Sequence, residues 1–91
     1  MQYYLLSLKW SKGKDKYVWW GPENSGYTED LNQAGIYTEE DLDKRPLYYR
    51  NTTTYAVPVE TVKKMITQTV VPTLSENWDL MNIDVSKLPH Y

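Results

Sequence analysis

The chain opens on an alternation of apolar and mixed positions. Tyr4, Leu6, Leu8 and Trp10 form one wholly apolar row, and Tyr3, Leu5, Ser7 and Lys9 form a mixed one, so the spacing predicts a strand over residues 2–10. The hydrophilic run Ser11-Lys12-Gly13-Lys14-Asp15 interrupts it. Tyr17, Val18, Trp19 and Trp20 are again good strand formers, which completes the pattern of an N-terminal β-hairpin. Gly21-Pro22 ends the second strand, because proline donates nothing to a ladder and restricts the residue before it. Turn-forming residues fill Glu23 to Gly26, a short third strand is predicted from Tyr27 to Leu31, and Gly35 breaks the chain again.

The period then changes. Thr38 followed by Glu39, Glu40 and Asp41 has the form of a helix start, with a capping hydroxyl and three acids where the helix dipole favours negative charge. Pro46 limits that helix. Tyr55-Ala56-Val57 reads as a strand, and Pro58 fits the first turn of a helix in which Val59, Val62, Ile66 and Val70 recur at helical spacing. Pro72 closes it. Ser75 is expected to cap a last short helix with Leu74, Trp78 and Met81 along one side, and residues 82–91 are expected to form an irregular tail. The expected architecture is α+β, in one domain over residues 1–91: a small, mainly antiparallel sheet led by the hairpin, with two or three short helices on one face.

Trp19 and Trp20 pose the central question. Adjacent side chains on a strand point to opposite faces, so one indole enters the core and the other needs a different cover. The pattern does not say which is which, and a bulge at Gly21 would change the geometry.

Composition sharpens this. The chain has nine tyrosines and four tryptophans but no phenylalanine, so its rings carry polar handles suited to surfaces that are dry on one side and wet on the other. Cysteine is absent, which removes disulfides and thiol chemistry and fits a reducing cytoplasm. No apolar run approaches the ~20 residues that span a bilayer. The formal net charge of −2 argues against general nucleic-acid binding. Its distribution is uneven: residues 1–20 hold Lys9, Lys12, Lys14 and Lys16 against Asp15, whereas residues 21–43 hold seven acids and no basic residue.

Catalytic chemistry has little to work with. His90 is the single histidine and sits next to the end of the chain, and the acids at 39–43 are too close together on a short helix to converge on one point. Capping and solvation account for that cluster better than a metal does, so neither a metal nor a cofactor is expected. The hairpin is more suggestive. Trp10, Lys14, Lys16, Tyr17, Trp19 and Trp20, with Tyr27 just beyond, combine flat rings and ammonium groups in the way that holds a base and a phosphate. The plainer alternative puts the tryptophans in the core and has the lysines protect a sheet edge.

The fragments "YYLLSLK" (3–9), "WWGPENSGYTEDLNQAGIYTEEDL" (19–42), "YAVPVETV" (55–62) and "ENWDLM" (76–81) together resemble a group of small proteins encoded by bacteriophages and prophages. The resemblance implies a setting rather than a mechanism: small phage proteins without catalytic residues often act against bacterial immunity by binding. The expectation is a non-enzymatic protein in the host cytoplasm that sequesters a small nucleotide-derived immune signal, with self-association as one way to complete a pocket. The alternatives are a protein inhibitor whose acidic 23–43 region blocks a host defence protein, and a structural or regulatory phage protein.

Overall fold

In the computed structural model of the chain, which describes residues 1–49, 51–65 and 71–89, strand β1 (Gln2–Ser7) is the axis of a five-stranded antiparallel sheet. Strand β5 (Thr54–Pro58) pairs along it from Tyr3↔Pro58 to Ser7↔Thr54. The other edge of β1 is shared by β2 (Trp19–Trp20), through Leu6↔Trp19, and β4 (Tyr37–Thr38), through Tyr3↔Tyr37. Strand β3 (Tyr27–Thr28) pairs outside β2, with Trp20 opposite Tyr27. Pro58, which has no N–H, lies on an edge strand, where its missing donor costs no ladder bond. The α+β class and the leading hairpin are as the sequence predicts.

Two details differ. The first strand stops at Ser7, and Leu8–Ser11 forms a helical turn, α1. Ser7 caps this turn by accepting the Trp10 N–H, while the Ser11 hydroxyl accepts the Val18 N–H at 2.8 Å and ties the turn back to the hairpin. The second difference is the placement of the helices. Instead of lying on one face, they cover both. Helices α2 (Glu39–Lys44) and α3 (Pro46–Tyr49) bring Leu42 and Tyr49 against Leu5, Trp20 and Tyr37. On the opposite face α4 (Val59–Val62) and α5 (Ser75–Leu80) bring Val62 and Trp78, with Met81 just past the end of α5, against Leu6, Trp19 and Val57. Leu5 and Leu6, neighbours in β1, thus belong to two separate cores, as strand alternation requires.

Local signals explain several boundaries. Thr38 and Asp41 make a reciprocal capping box at the start of α2, and those Thr38 contacts hold the Asp41 carboxyl below its ordinary value. Pro58 ends β5 rather than entering the helix, Leu74 rather than Ser75 precedes α5, and the tail contains a 3-10 turn at Val85–Lys87. Ile83 of that tail is buried, and the Lys12 ammonium donates to the carbonyls of Leu88 and Pro89. Ile66, Val70 and His90 lie outside the described residues.

Tyr17, like Trp19, buries an unsatisfied polar atom in the larger core. Its ring packs on Trp19 and Trp78, yet its buried hydroxyl has no partner among the described residues. Burial, and then the charge of Asp79, push its phenol above the ordinary value of 10. The folded chain therefore keeps this proton where the unfolded chain has lost it, and stability falls as pH rises above that value. Because an unpaired buried hydroxyl costs about 1–3 kcal/mol, Tyr17→Phe is expected to leave stability unchanged or raise it by up to about 1 kcal/mol in urea denaturation. The alkaline loss should also become smaller. A destabilisation of more than about 1 kcal/mol would show that the hydroxyl is satisfied after all.

Candidate functional site

The sheet face that carries Leu5 and Trp20 is only partly covered by α2 and α3. Beyond them lies a cleft of about 450 Å³, within the range of small-molecule sites, lined by Ser7, Lys9, Trp10, Trp20, Tyr27 and Tyr48 and closed by Asn51, Thr53 and Thr54. Each ring arrives from a different element. Trp20 comes from β2 and forms the floor, 8% exposed. Tyr27 comes from β3, directly opposite Trp20 in the ladder, with ring centroids 6.1 Å apart. Tyr48 comes from α3 and meets Trp20 edge-on at 5.4 Å. Trp10 comes from the α1 turn.

That turn decides the site. A continuous strand would place Trp10 in the row of Leu6, on the face of the larger core. One helical turn after Ser7 carries it instead to the face of Trp20, where its ring lies 6.5 Å from Tyr27. Trp10 is 44% exposed and Tyr27 is 56% exposed, so both present large apolar surface to solvent. The Lys9 and Lys14 ammonium groups stand 5.1 and 5.8 Å from the Trp10 ring centre, and neither makes an ion pair among the described residues. Such cation–π contacts are worth only about 0.5–1 kcal/mol at exposed sites, so both groups are free to move to a stronger anionic partner.

The far wall is braced. The Asn51 amide donates to the carbonyls of Leu47 and Tyr48, and its oxygen accepts the Thr53 N–H at 2.8 Å. These bonds fix the C-terminal end of α3, and with it Tyr48. Nε1 of Trp20 is buried without an acceptor among the described residues.

The seven residues predicted from the sequence divide among three places. Trp10, Trp20 and Tyr27 line the cleft, and Lys14 stands over Trp10 at its rim. Tyr17 and Trp19 do not: both are fully buried in the opposite core with Trp78 and Met81. Lys16 is also elsewhere, bridged to Pro72 through its backbone and 3.9 Å from Asp15. Both tryptophans of the doublet are therefore covered, each by a different core, and neither is left bare for a ligand. What remains open is the cleft above Trp20. Sequence reasoning missed Tyr48, although the Tyr48-Tyr49 doublet holds the clue: Tyr49 is buried and Tyr48 is not.

No family model, curated protein or solved structure matches this chain.

A second groove, of about 410 Å³, lies on the other side of α3 and is lined by Asn24, Ile36, Tyr37, Lys44, Arg45 and Tyr49, among others. Its wall is a saturated network. The Tyr37 hydroxyl donates to the Gly21 carbonyl at 2.6 Å and accepts the Asn24 N–H, and the Asn24 amide donates to the Tyr49 hydroxyl at 3.1 Å. Burial is the main cause that raises the Tyr37 phenol above its ordinary value, against the lowering effect of the Asn24 N–H. The network holds Glu23 and Asn24 in left-handed backbone conformations, φ 52° and 62°, which are uncommon without glycine. Between groove and cleft, the Arg45 guanidinium stacks 4.3 Å from the Tyr48 ring centre.

Among the described residues, no group of three or more His, Asp or Glu side chains could hold a metal ion, and no helix is long and apolar enough to cross a membrane.

Proposed function

We propose that the chain is a binding protein that captures a small nucleotide-derived molecule in the cleft of Trp10, Trp20, Tyr27 and Tyr48. The observation that carries this reading is the meeting of two half-exposed rings with unpaired lysines above a buried indole floor. Every nucleobase has a π-face, and stacking on an aromatic side chain is worth about 1–3 kcal/mol per base. Lysine ammonium groups at the rim supply the counter-charge for a phosphate. The resemblance to phage proteins gives the setting: the captured molecule is an immune signal of the bacterial host, and the chain sequesters it without turning it over.

Ligand capture raises the melting temperature. At a hundredfold excess over Kd the native state gains about 2.7 kcal/mol, which a panel of nucleotides in a thermal-shift assay detects. Trp10→Ala and Tyr27→Ala each remove an exposed ring and are expected to abolish most of the shift while leaving the ligand-free melting temperature within a few degrees of the parent. If no nucleotide shifts the parent and one host protein co-purifies with it instead, the acidic inhibitor reading replaces this one. Asp30 and Asp41 are already engaged in a local turn and a helix cap, and Glu39 accepts the Tyr3 hydroxyl, so that surface would draw chiefly on Glu23, Glu29 and Glu40.

A further inference from the structure

We infer that the preferred ligand carries two separated phosphate groups, as a cyclic dinucleotide does, rather than one phosphate or a contiguous diphosphate. The inference rests on the reading of the cleft as a nucleotide site and concerns where its charges lie.

The cations around the cleft are not gathered in one patch. Lys9 and Lys14 stand over Trp10 at one rim. Arg45 stacks on Tyr48, the last ring of the aromatic row, and lines the neighbouring groove. None of the three makes an ion pair among the described residues. The rings between them are contiguous: Trp10 touches Tyr27, Tyr27 touches Trp20, and Trp20 touches Tyr48, with centroid steps of 6.5, 6.1 and 5.4 Å.

A mononucleotide that stacks on the exposed rings of Trp10 and Tyr27 reaches the lysine rim and leaves Arg45 unused. A diphosphate concentrates its charge at one end and has the same shortcoming. A molecule with two bases and two phosphodiesters fills the aromatic row and meets cations at both ends. The two ends are also chemically distinct. Guanidinium presents a planar fork that pairs two phosphate oxygens at once, and ammonium acts as a point charge. The groove behind Arg45 gives the second half of such a ligand room beyond Tyr48.

The test is a calorimetric comparison on the full chain with four probes: cyclic adenosine monophosphate, adenosine diphosphate, cyclic di-adenosine monophosphate and cyclic di-guanosine monophosphate. At least one cyclic dinucleotide should bind tenfold or more tightly than either mononucleotide. Arg45→Gln keeps the stem of an exposed side chain and removes its charge. It should cancel that preference by weakening the dinucleotide about tenfold, the scale of one lost charge-assisted contact, while mononucleotide binding stays within twofold. The melting temperature of Arg45→Gln without ligand controls for folding. Equal binding of mononucleotides and dinucleotides, or an Arg45→Gln variant that retains the preference, overturns the inference and leaves the cleft reading standing. Failure of all four probes to bind overturns this ligand class and counts against the cleft reading, which Trp10→Ala in the wider nucleotide panel then decides separately.

Discussion

Trp19→Ala is expected to leave the chain mostly unfolded near body temperature. Trp19 is fully buried, its ring 5.7 Å from Tyr4 and 5.9 Å from Tyr17, inside the larger core. Truncating a buried tryptophan costs about 3–5 kcal/mol, because lost burial and an unfilled cavity add together. A domain of this size has roughly 5–10 kcal/mol in total, so between about a third and all of it is removed. The melting temperature should fall by roughly 15–30 °C. Trp20→Ala provides the contrast. Its ring is the floor of an open cleft, so the vacated space joins the cleft and fills with water, and most of the cavity term is absent. Its cost should be smaller by at least about 1 kcal/mol, with ligand binding lost entirely. Equal melting temperatures for the two variants would show that Trp20 is ordinary core and that the cleft does not open onto it.

The contrast between these adjacent residues shows what the sequence makes legible. Alternation along a strand separates Trp19 from Trp20, and that separation holds in the structure. The number of cores is not encoded in the same pattern. A period of two says that neighbours face opposite ways and is silent on whether both faces are dry. The cover over Trp20 comes from Tyr48 and Tyr49, nearly thirty positions away, and α3 reaches it only because α2 follows β4 on that face. Local capping signals were readable because their partners are close in sequence, as with Thr38 and Asp41. The Ser7 cap was not, since Ser7 also fits the alternating pattern and the bonds that favour the turn come from Val18 and Thr53.

The candidate site was legible to the same degree. Trp10, Trp20 and Tyr27 could be named from a hairpin and its following turn. The company they keep depends on two rearrangements that no period reveals: the helical turn that moves Trp10 across the sheet, and the far segment that supplies Tyr48. Tyr17 and Trp19 are close to Trp20 in sequence but not in space, because strand alternation carries them to the other face.

Gly35→Ala is expected to damage both fold and cleft through one methyl group. Gly35 is buried beside the Gly21-Pro22 corner, and its N–H donates to the Trp20 carbonyl at 2.9 Å. A Cβ at this position would stand 2.6 Å from Pro22 Cα and 2.9 Å from both the Gly21 carbonyl oxygen and the Pro22 nitrogen. All three are backbone atoms, so no rotamer change relieves the overlap. Either the Gly35 segment retreats and loses its bond to Trp20, or the corner moves and takes β2 and β3 with it. Overpacking of this kind costs about 1–3 kcal/mol, which corresponds to a fall of roughly 5–20 °C in melting temperature. Since Trp20 and Tyr27 flank the corner, ligand affinity should fall as well, even at temperatures where the variant is folded. Gly21→Ala separates crowding from mere loss of glycine. Its Cβ would lie 2.9 Å from the Ser25 hydroxyl, the mobile end of an exposed side chain, and no closer than 3.4 Å to backbone. Ser25 can rotate away, so Gly21→Ala should cost under about 1 kcal/mol. If the two alanine variants melt together, the close approach at Gly35 does not hold the corner, and the rigidity of the cleft must come from the Tyr37 and Asn24 network instead.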